Sequence, residues 1–313
     1  MKRFILLLAV LLSINKLPAQ QLTLKNGEVF TIETRNIAKA EFSSDDQYIF
    51  QYTVLSSNDA EYKLQCVLIK ARSQLNLPNK SIKLNSDSIR QTVFNSTAVL
   101  TPIVLLEEPF IVVLSPKSKL IRFEGTDELI QKAIRNWHMT PGIQKYIIPN
   151  LNDFLSAAIK NMFFELPDQK ISYQSTWTTA AKISYKVIAM RGALLDIVAA
   201  SDDKTIHAKY ALNEVTGLLA DANVACQYNT GKALQHVDYS QTMVTNITAV
   251  VDTAWVNMAI TMSIMSDAFM NKAGDVDSAK VFGYFKTHDE LYKNDAYYIA
   301  RKRYLKQKLK IYD

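Results

Sequence analysis

Residues 48–68, YIFQYTVLSSNDAEYKLQCVL, decide how this chain is read. Tyr48, Phe50, Tyr52 and Val54 fall on one side of an extended backbone, and Gln47, Gln51 and Thr53 mostly fill the other. Ser56-Ser57-Asn58-Asp59 is a turn signal, after which Tyr62, Leu64, Cys66 and Leu68 alternate with Glu61, Lys63 and Gln65. Successive side chains of a strand point to opposite faces, so strict alternation marks antiparallel strands with one face on a core and one in water.

The same period runs outward through the chain. Ile183, Tyr185, Val187 and Ala189 alternate with Lys182, Ser184 and Lys186, and Ile206, Ala208, Tyr210 and Leu212 with His207, Lys209 and Asn213. Leu218, Ala220, Ala222, Val224, Cys226 and Tyr228 form another apolar row. Asn26-Gly27, Ser115–Ser118, Ser201–Asp203 and Thr216-Gly217 supply turns, and residues 110–114 and 120–123 read as a hairpin around Pro116. Val256, Met258, Ile260, Met262 and Ile264, interleaved with Asn257, Ala259, Thr261 and Ser263, read as one more long strand with a Met/Ile face.

The middle switches to helical spacing. Thr126 can cap a helix with Asp127 and Glu128 in its first turn, an apolar stripe of Leu129, Ile130, Ala133, Ile134 and Trp137, and Pro141-Gly142 as its stop. Asn150 can cap a second, carrying Leu151, Phe154, Leu155, Ala158, Ile159, Met162 and Phe163 and stopped by Pro167. The residues after Ser278 read as helical and charged. The expected class is α+β: a mainly antiparallel sheet, curved or closing to a half-barrel, with a two-helix insertion at about 126–165 and C-terminal helices. The expected division is a signal peptide at 1–19, a β-rich domain at 20–266 and a basic helical segment at 267–313.

Lys2-Arg3, the apolar stretch Phe4–Ile14 and Leu17-Pro18-Ala19 have the form of a secretory signal cleaved after Ala19. Export to the periplasm or beyond is therefore expected, without a lipid anchor, since no cysteine lies near the cut. Cleavage would remove Lys2, Arg3 and Lys16, leaving 33 basic residues against 30 acidic ones. Residues 279–313 hold nine basic and four acidic residues, so the excess charge is local to the C-terminus.

The 313 residues are 48% hydrophobic and 21% charged, a globular balance. The eight glycines are never closer than nine residues, which excludes dinucleotide and phosphate loops and the nucleophile elbow. The histidines, His138, His207, His236 and His288, lack the spacing of a helical metal site. Neither a cofactor nor a metal is expected. Cys66 and Cys226 read either as buried thiols or as a disulfide between neighbouring strands. Glu107-Glu108, adjacent carboxylates before Pro109, read as a solvated turn.

The C-terminal segment interleaves Tyr284, Phe285, Tyr292, Tyr297, Tyr298 and Tyr304 with lysines and arginines. This pattern suits a capping helix that packs its aromatic side chains, or peripheral contact with an anionic membrane surface. Nucleic acid is not an expected partner of an exported chain.

The hairpin leading into a helix, PFIVVLSPKSKLIRFEGTD at 109–127, together with Leu166-Pro167-Asp168, Trp177 and NEVTG at 213–217, resembles an uncharacterised family of secreted and lipoprotein-like β-rich proteins of Bacteroidota. The resemblance spans roughly Leu22–Ile264 and implies an exported β-rich domain, with no activity or site to carry over. The expected function is a non-enzymatic binding or structural module of the cell envelope, with an envelope protein as partner. The alternative is a carrier of a lipid or other apolar ligand, held between sheet and helices by Trp137, Phe154, Met162, Phe163, Met258 and Met262.

Overall fold

The computed structural model describes residues 20–309 except 41, 93, 95, 140, 161, 230–233, 244–250 and 267–277. The expected signal peptide lies outside these residues. The chain is α+β, with twelve antiparallel strands among the described residues.

One meander runs from the middle of the sheet out to an edge, and the other runs from the far edge back to the middle. The first contains β1 (Val29–Lys39), β2 (Ser43–Ser57), β3 (Tyr62–Leu77) and β4 (Lys80–Asn85), then β5 (Pro109–Leu114) and β6 (Leu120–Glu124). The second starts at the far edge with β7 (Thr176–Thr178) and returns through β8 (Ile183–Arg191), β9 (Leu194–Ser201), β10 (Ile206–Asn213), β11 (Leu219–Asn229) and β12 (Leu234–Met243). β12 pairs with β1, Ile32 opposite Met243 and Lys39 opposite His236, and so joins two six-stranded halves. The sheet stays open, with β6 and β7 at its ends.

β3 serves two neighbours along one side. Tyr62–Val67 pair with β5 and Arg72–Leu77 with β4. Its alternation is the one read from residues 62–68: Leu64, Cys66 and Leu68 are fully buried. The expected hairpin around Pro116 is β5 and β6, Ile111 opposite Glu124. Both open ends are protected against adding a foreign strand. β7 is three residues long, and β6 carries Arg122 and Glu124 in a charged cluster with Glu61 and Lys63.

Six α-helices are found among the described residues: α1 (Thr97–Leu105), α2 (Thr126–Asn136), α3 (Pro141–Lys160), α4 (Thr253–Ser266), α5 (Ser278–Tyr292) and α6 (Ala296–Leu309). Gly125, at φ 83°, precedes α2 and takes the cap position expected of Thr126. Asp127 and Glu128 do lie in the first turn of α2. The helix ends at Trp137 and at His138, whose φ is 50°, before Pro141 is reached. Pro141 instead begins α3, where a missing N–H costs nothing. That helix runs through Pro149, so Asn150 is interior rather than a cap.

The larger departure concerns residues 253–266, which form a helix and not the expected strand. Asp252 sets its start, its Oδ1 accepting from Trp255 N at 3.0 Å. Val256 and Met258 through Met265 are all buried, small residues included. Thr261 donates to Asn136 O at 3.4 Å, and Ser263 shares a 2.5 Å hydrogen bond with the Tyr297 hydroxyl. A helix apolar all round belongs in a core. Here the large and small residues merely alternated in sequence, while all from Met258 to Met265 are buried in the core. Each buried Met or Ile contributes roughly 1.5–3 kcal/mol relative to exposure.

The helices and β1–β6 share one large core that includes Leu155 and Ile159 of α3, Met262 of α4 and Leu305 of α6. A second, smaller core lies under β8–β11, where Val187, Leu195, Ile197 and Leu212 are covered by Phe164, Leu166 and Ile171. The basic C-terminal segment thus buries Tyr298 and Leu305 and packs α6 against α4.

Candidate functional site

The six side chains expected to hold an apolar ligand all lie in or against the large core. Trp137 donates Nε1 to Asn257 Oδ1 at 2.8 Å. Met162 receives the Tyr52 hydroxyl at Sδ, 2.9 Å away, and Phe163 stands edge-on to the Tyr52 ring, centroids 5.3 Å apart. Phe154, half-buried, meets Tyr48 edge-on at 5.0 Å. Met258 and Met262 are buried within α4, not on a strand face turned to a cavity. A crevice beside Trp137 has a volume of about 50 Å³, room for water but not for a lipid.

Cys66 and Cys226 are free thiols. They do not sit on neighbouring strands: β2, β1 and β12 separate β3 from β11. Strand spacing near 4.8 Å sets those strands about 19 Å apart along the sheet, beyond the Cα separation of a disulfide. Burial pushes the Cys66 thiol well up, with the Tyr52 hydroxyl offsetting this only in part. Glu107, at φ 62°, accepts from Val251 N at 2.8 Å, while Glu108 pairs with Lys132 at 2.5 Å. The two adjacent carboxylates therefore point to separate partners. Among the described residues no group of three or more His, Cys, Asp or Glu could hold a metal ion, and no helix is long and apolar enough to cross a membrane.

Another opening is on the other side of the sheet. A cleft of about 940 Å³ crosses the outer face of β7 to β11. Cross-strand register builds it. Thr176, Lys186, Val198, Lys209 and Asn223 form one row, each opposite the next. Thr178, Ser184, Ala200, His207 and Ala225 form the adjacent row. Val198, Ala200 and Ala225 are short, so they make a low floor between longer side chains.

The inner face of the same strands holds the floor in place. Trp177 stacks on Tyr185, ring centroids 5.1 Å apart and planes within 3°. Phe164 meets the rings of Trp177, Tyr185 and Tyr210 edge-on from below at 5.1–6.2 Å. Burial raises the Tyr185 and Tyr210 phenols, which keeps this layer uncharged.

The cleft's charge is one-sided. Lys186, His207 and Lys209 line it, no carboxylate does, and among the described residues these three side chains have no ion-pair partner. Several other cations of the sheet are paired, as in Arg35–Asp45, Lys70–Asp87 and Arg191–Asp196. Ser184 shares its hydroxyl with Thr178 at 3.1 Å. It does not engage His207, which stands two strands away across Ala200. The arrangement offers donors and positive charge but no nucleophile–base pair.

Sequence reasoning treated Lys186, His207 and Lys209 only as the wet partners of alternating strands. One legible signal was the run of small or cationic residues, without an acid, on the polar faces of two strands. Which rows become neighbours depends on register, and register was not in the pattern.

No protein-family profile matches the chain, and no characterised protein matches it in sequence. Among solved structures, it is similar at 8% identity to a DUF1329 family protein from Desulfovibrio piger, over 77% of this chain and 91% of that one, with a TM-score of 0.14. It is also similar at 8% identity to a chain of the MucA/MucB complex of Pseudomonas aeruginosa, over 70% of this chain and 89% of that one, with a TM-score of 0.11. At these scores neither likeness carries an argument.

Proposed function

We propose that this chain is an exported, non-catalytic binding module of the cell envelope, and that it presents the outer cleft of its sheet to a ligand. The observation that carries the reading is the 940 Å³ cleft itself, set on a rigid face and lined with donors, hydroxyls and short side chains. Export rests on the N-terminal sequence. A non-catalytic role is supported by the separation of Ser184 from His207 and by the lack of a lining carboxylate to act as acid or base. The close packing of Trp137, Met162, Met258 and Met262 favours this reading over the apolar carrier.

The test is thermal stabilisation of residues 20–313 by a panel of neutral, acidic and basic oligosaccharides and peptides. The comparison is Ala200→Trp, which fills the floor. The expected result is stabilisation by at least one class, lost in Ala200→Trp, with the ligand recovered chemically unchanged. Stabilisation that survives Ala200→Trp, or a ligand that is turned over, would defeat the reading.

A further inference from the structure

We propose that the cleft over β7–β11 selects an acidic oligosaccharide, one whose carboxylate or sulfate groups recur along a chain of hydroxyl-bearing rings. The inference rests on the cleft being a binding surface.

Charge comes first. Among the described residues three grooves carry cations, and in two of them carboxylates share the lining. The groove between α5 and α6 contains Asp289 and Glu290, which pair with Lys302 at 2.5 Å and Lys293 at 3.0 Å. The groove over β1–β4 contains Arg35, which pairs with Asp45 at 2.7 Å, Arg72, which pairs with Asp87, and Lys83 beside them. In the cleft over β7–β11 no carboxylate shares the lining, and among the described residues Lys186 and Lys209 have no such partner. An unpaired cation retains its full capacity to bind an anion.

Spacing comes second. Lys186 and Lys209 are both directly opposite Val198, on the strands to either side of it. Two strand spacings separate their backbones by about 10 Å. His207 is two residues from Lys209 on the same face, about 7 Å along β10. A single compact anion engages one of these positions; a ligand with repeated anionic groups engages both lysines at once, and the second contact gains from the effective concentration set by the first.

The remaining lining selects for hydroxyls. Thr176, Thr178, Ser184 and Asn223 each donate and accept, so they suit a ligand that does both. Val198, Ala200 and Ala225 leave a flat apolar floor on which the C–H face of a sugar ring can lie. Bare polyphosphate would use the cations and leave the hydroxyls and floor idle.

The experiment is calorimetric titration of residues 20–313 with a sulfated hexasaccharide, a neutral hexasaccharide of the same length and inorganic polyphosphate. Each is repeated on Lys186→Gln/Lys209→Gln, Ala200→Trp and, as a control, Lys293→Gln/Arg303→Gln. The expected result is binding of the sulfated sugar that weakens with salt, falls about tenfold or more in the paired lysine variant and is lost in Ala200→Trp. The control binds as the wild type does. Neutral sugar binding as tightly, with loss only in Ala200→Trp, would overturn the anionic preference and leave the binding surface standing. Polyphosphate binding more tightly than the sulfated sugar would overturn the saccharide. Binding unchanged in both cleft variants, or no binding of any probe, would overturn the inference. Unchanged binding would also remove the cleft as the site.

Discussion

Arg90 and Asp295, 205 residues apart in sequence, meet side chain to side chain, with Nη1 of the arginine 3.1 Å from Oδ2 of the aspartate. The contact closes a clasp. Arg90 also reaches Asp252, the cap of α4, at 2.9 Å, and lies over the Trp255 ring. Asp295 accepts from Trp255 Nε1 at 2.9 Å and, through Oδ1, from Tyr298 N at 2.9 Å, capping α6. One carboxylate therefore ties the short 3₁₀ turn after β4 to both α4 and α6.

The members of this clasp differ in exposure, and that sets the first prediction. The Asp295 side chain is 13% exposed and that of Arg90 59%. Asp295→Ala removes a helix cap and leaves the buried Trp255 N–H without a partner, so a loss of about 2–4 kcal/mol is expected. Arg90→Ala breaks a largely solvated pair and is expected to cost about 1 kcal/mol or less. Urea unfolding monitored by tryptophan fluorescence measures both. Equal losses would show that the cap and the tryptophan contact contribute nothing.

The second prediction separates helix from strand at residues 253–266. On a strand with a wet small-polar face, Thr261 would tolerate a lysine. In the helix Thr261 is 1% exposed and packed against α2. Thr261→Lys should cost about 3 kcal/mol or more, because it buries an unpaired charge. Ala254→Glu, on the exposed first turn, should change stability by about 0.5 kcal/mol or less. Circular dichroism and thermal melting give both numbers.

The same segment shows what sequence could and could not reveal. The alternation in residues 48–54 and 62–68 was readable because each strand keeps one face wet, and burial of Phe50, Tyr52, Leu64 and Cys66 follows it. The hairpin around Pro116 was readable because turn chemistry and apolar runs agree. The α4 pattern misled because every residue from Met258 to Met265 is buried, so periodicity there held no information about direction. Length was the better guide: nine or more apolar and small residues without a break exceed a typical strand. α1 went unseen because Pro102 and a short uniform apolar run gave neither period nor cap. The cleft depends on pairing between strands up to 50 residues apart, such as Thr176 and Asn223 at the ends of one row, and alternation within one strand is silent about its neighbour.

The third prediction concerns acid. In the turn between β9 and β10, Asp203 Oδ1 accepts from Ser201 Oγ at 2.5 Å, Thr205 Oγ1 at 2.8 Å and Thr205 N at 3.0 Å. These hydrogen bonds, that from Ser201 foremost, hold its carboxyl down at about 2, against an ordinary value of 3.8. A carboxylate depressed by folding stabilises the fold above its unfolded pKa, and the contribution fades as pH falls through the folded value. The melting temperature of the wild type should therefore exceed that of Asp203→Asn near neutrality. The gap should close between about pH 4 and about pH 2. A gap independent of pH over that window would rule out the charge as its source.

The fourth prediction follows from the two thiols. Cys66 is fully buried opposite Phe110, and Cys226 is half-buried on β11. Since only a thiolate attacks an alkylating reagent, and burial raises the Cys66 thiol, native protein should take up iodoacetamide at Cys226 alone, with Cys66 labelled only after unfolding. The melting temperature should be the same with and without reductant, because the strands that carry the two sulfurs are held apart by three others. Cys66→Ser should lose about 1–3 kcal/mol through burial of a hydroxyl among apolar side chains, and Cys66→Ala should lose less than that. A melting temperature that falls on reduction would require a cross-link, and with it a sheet whose β3 and β11 approach one another as the present pairing forbids.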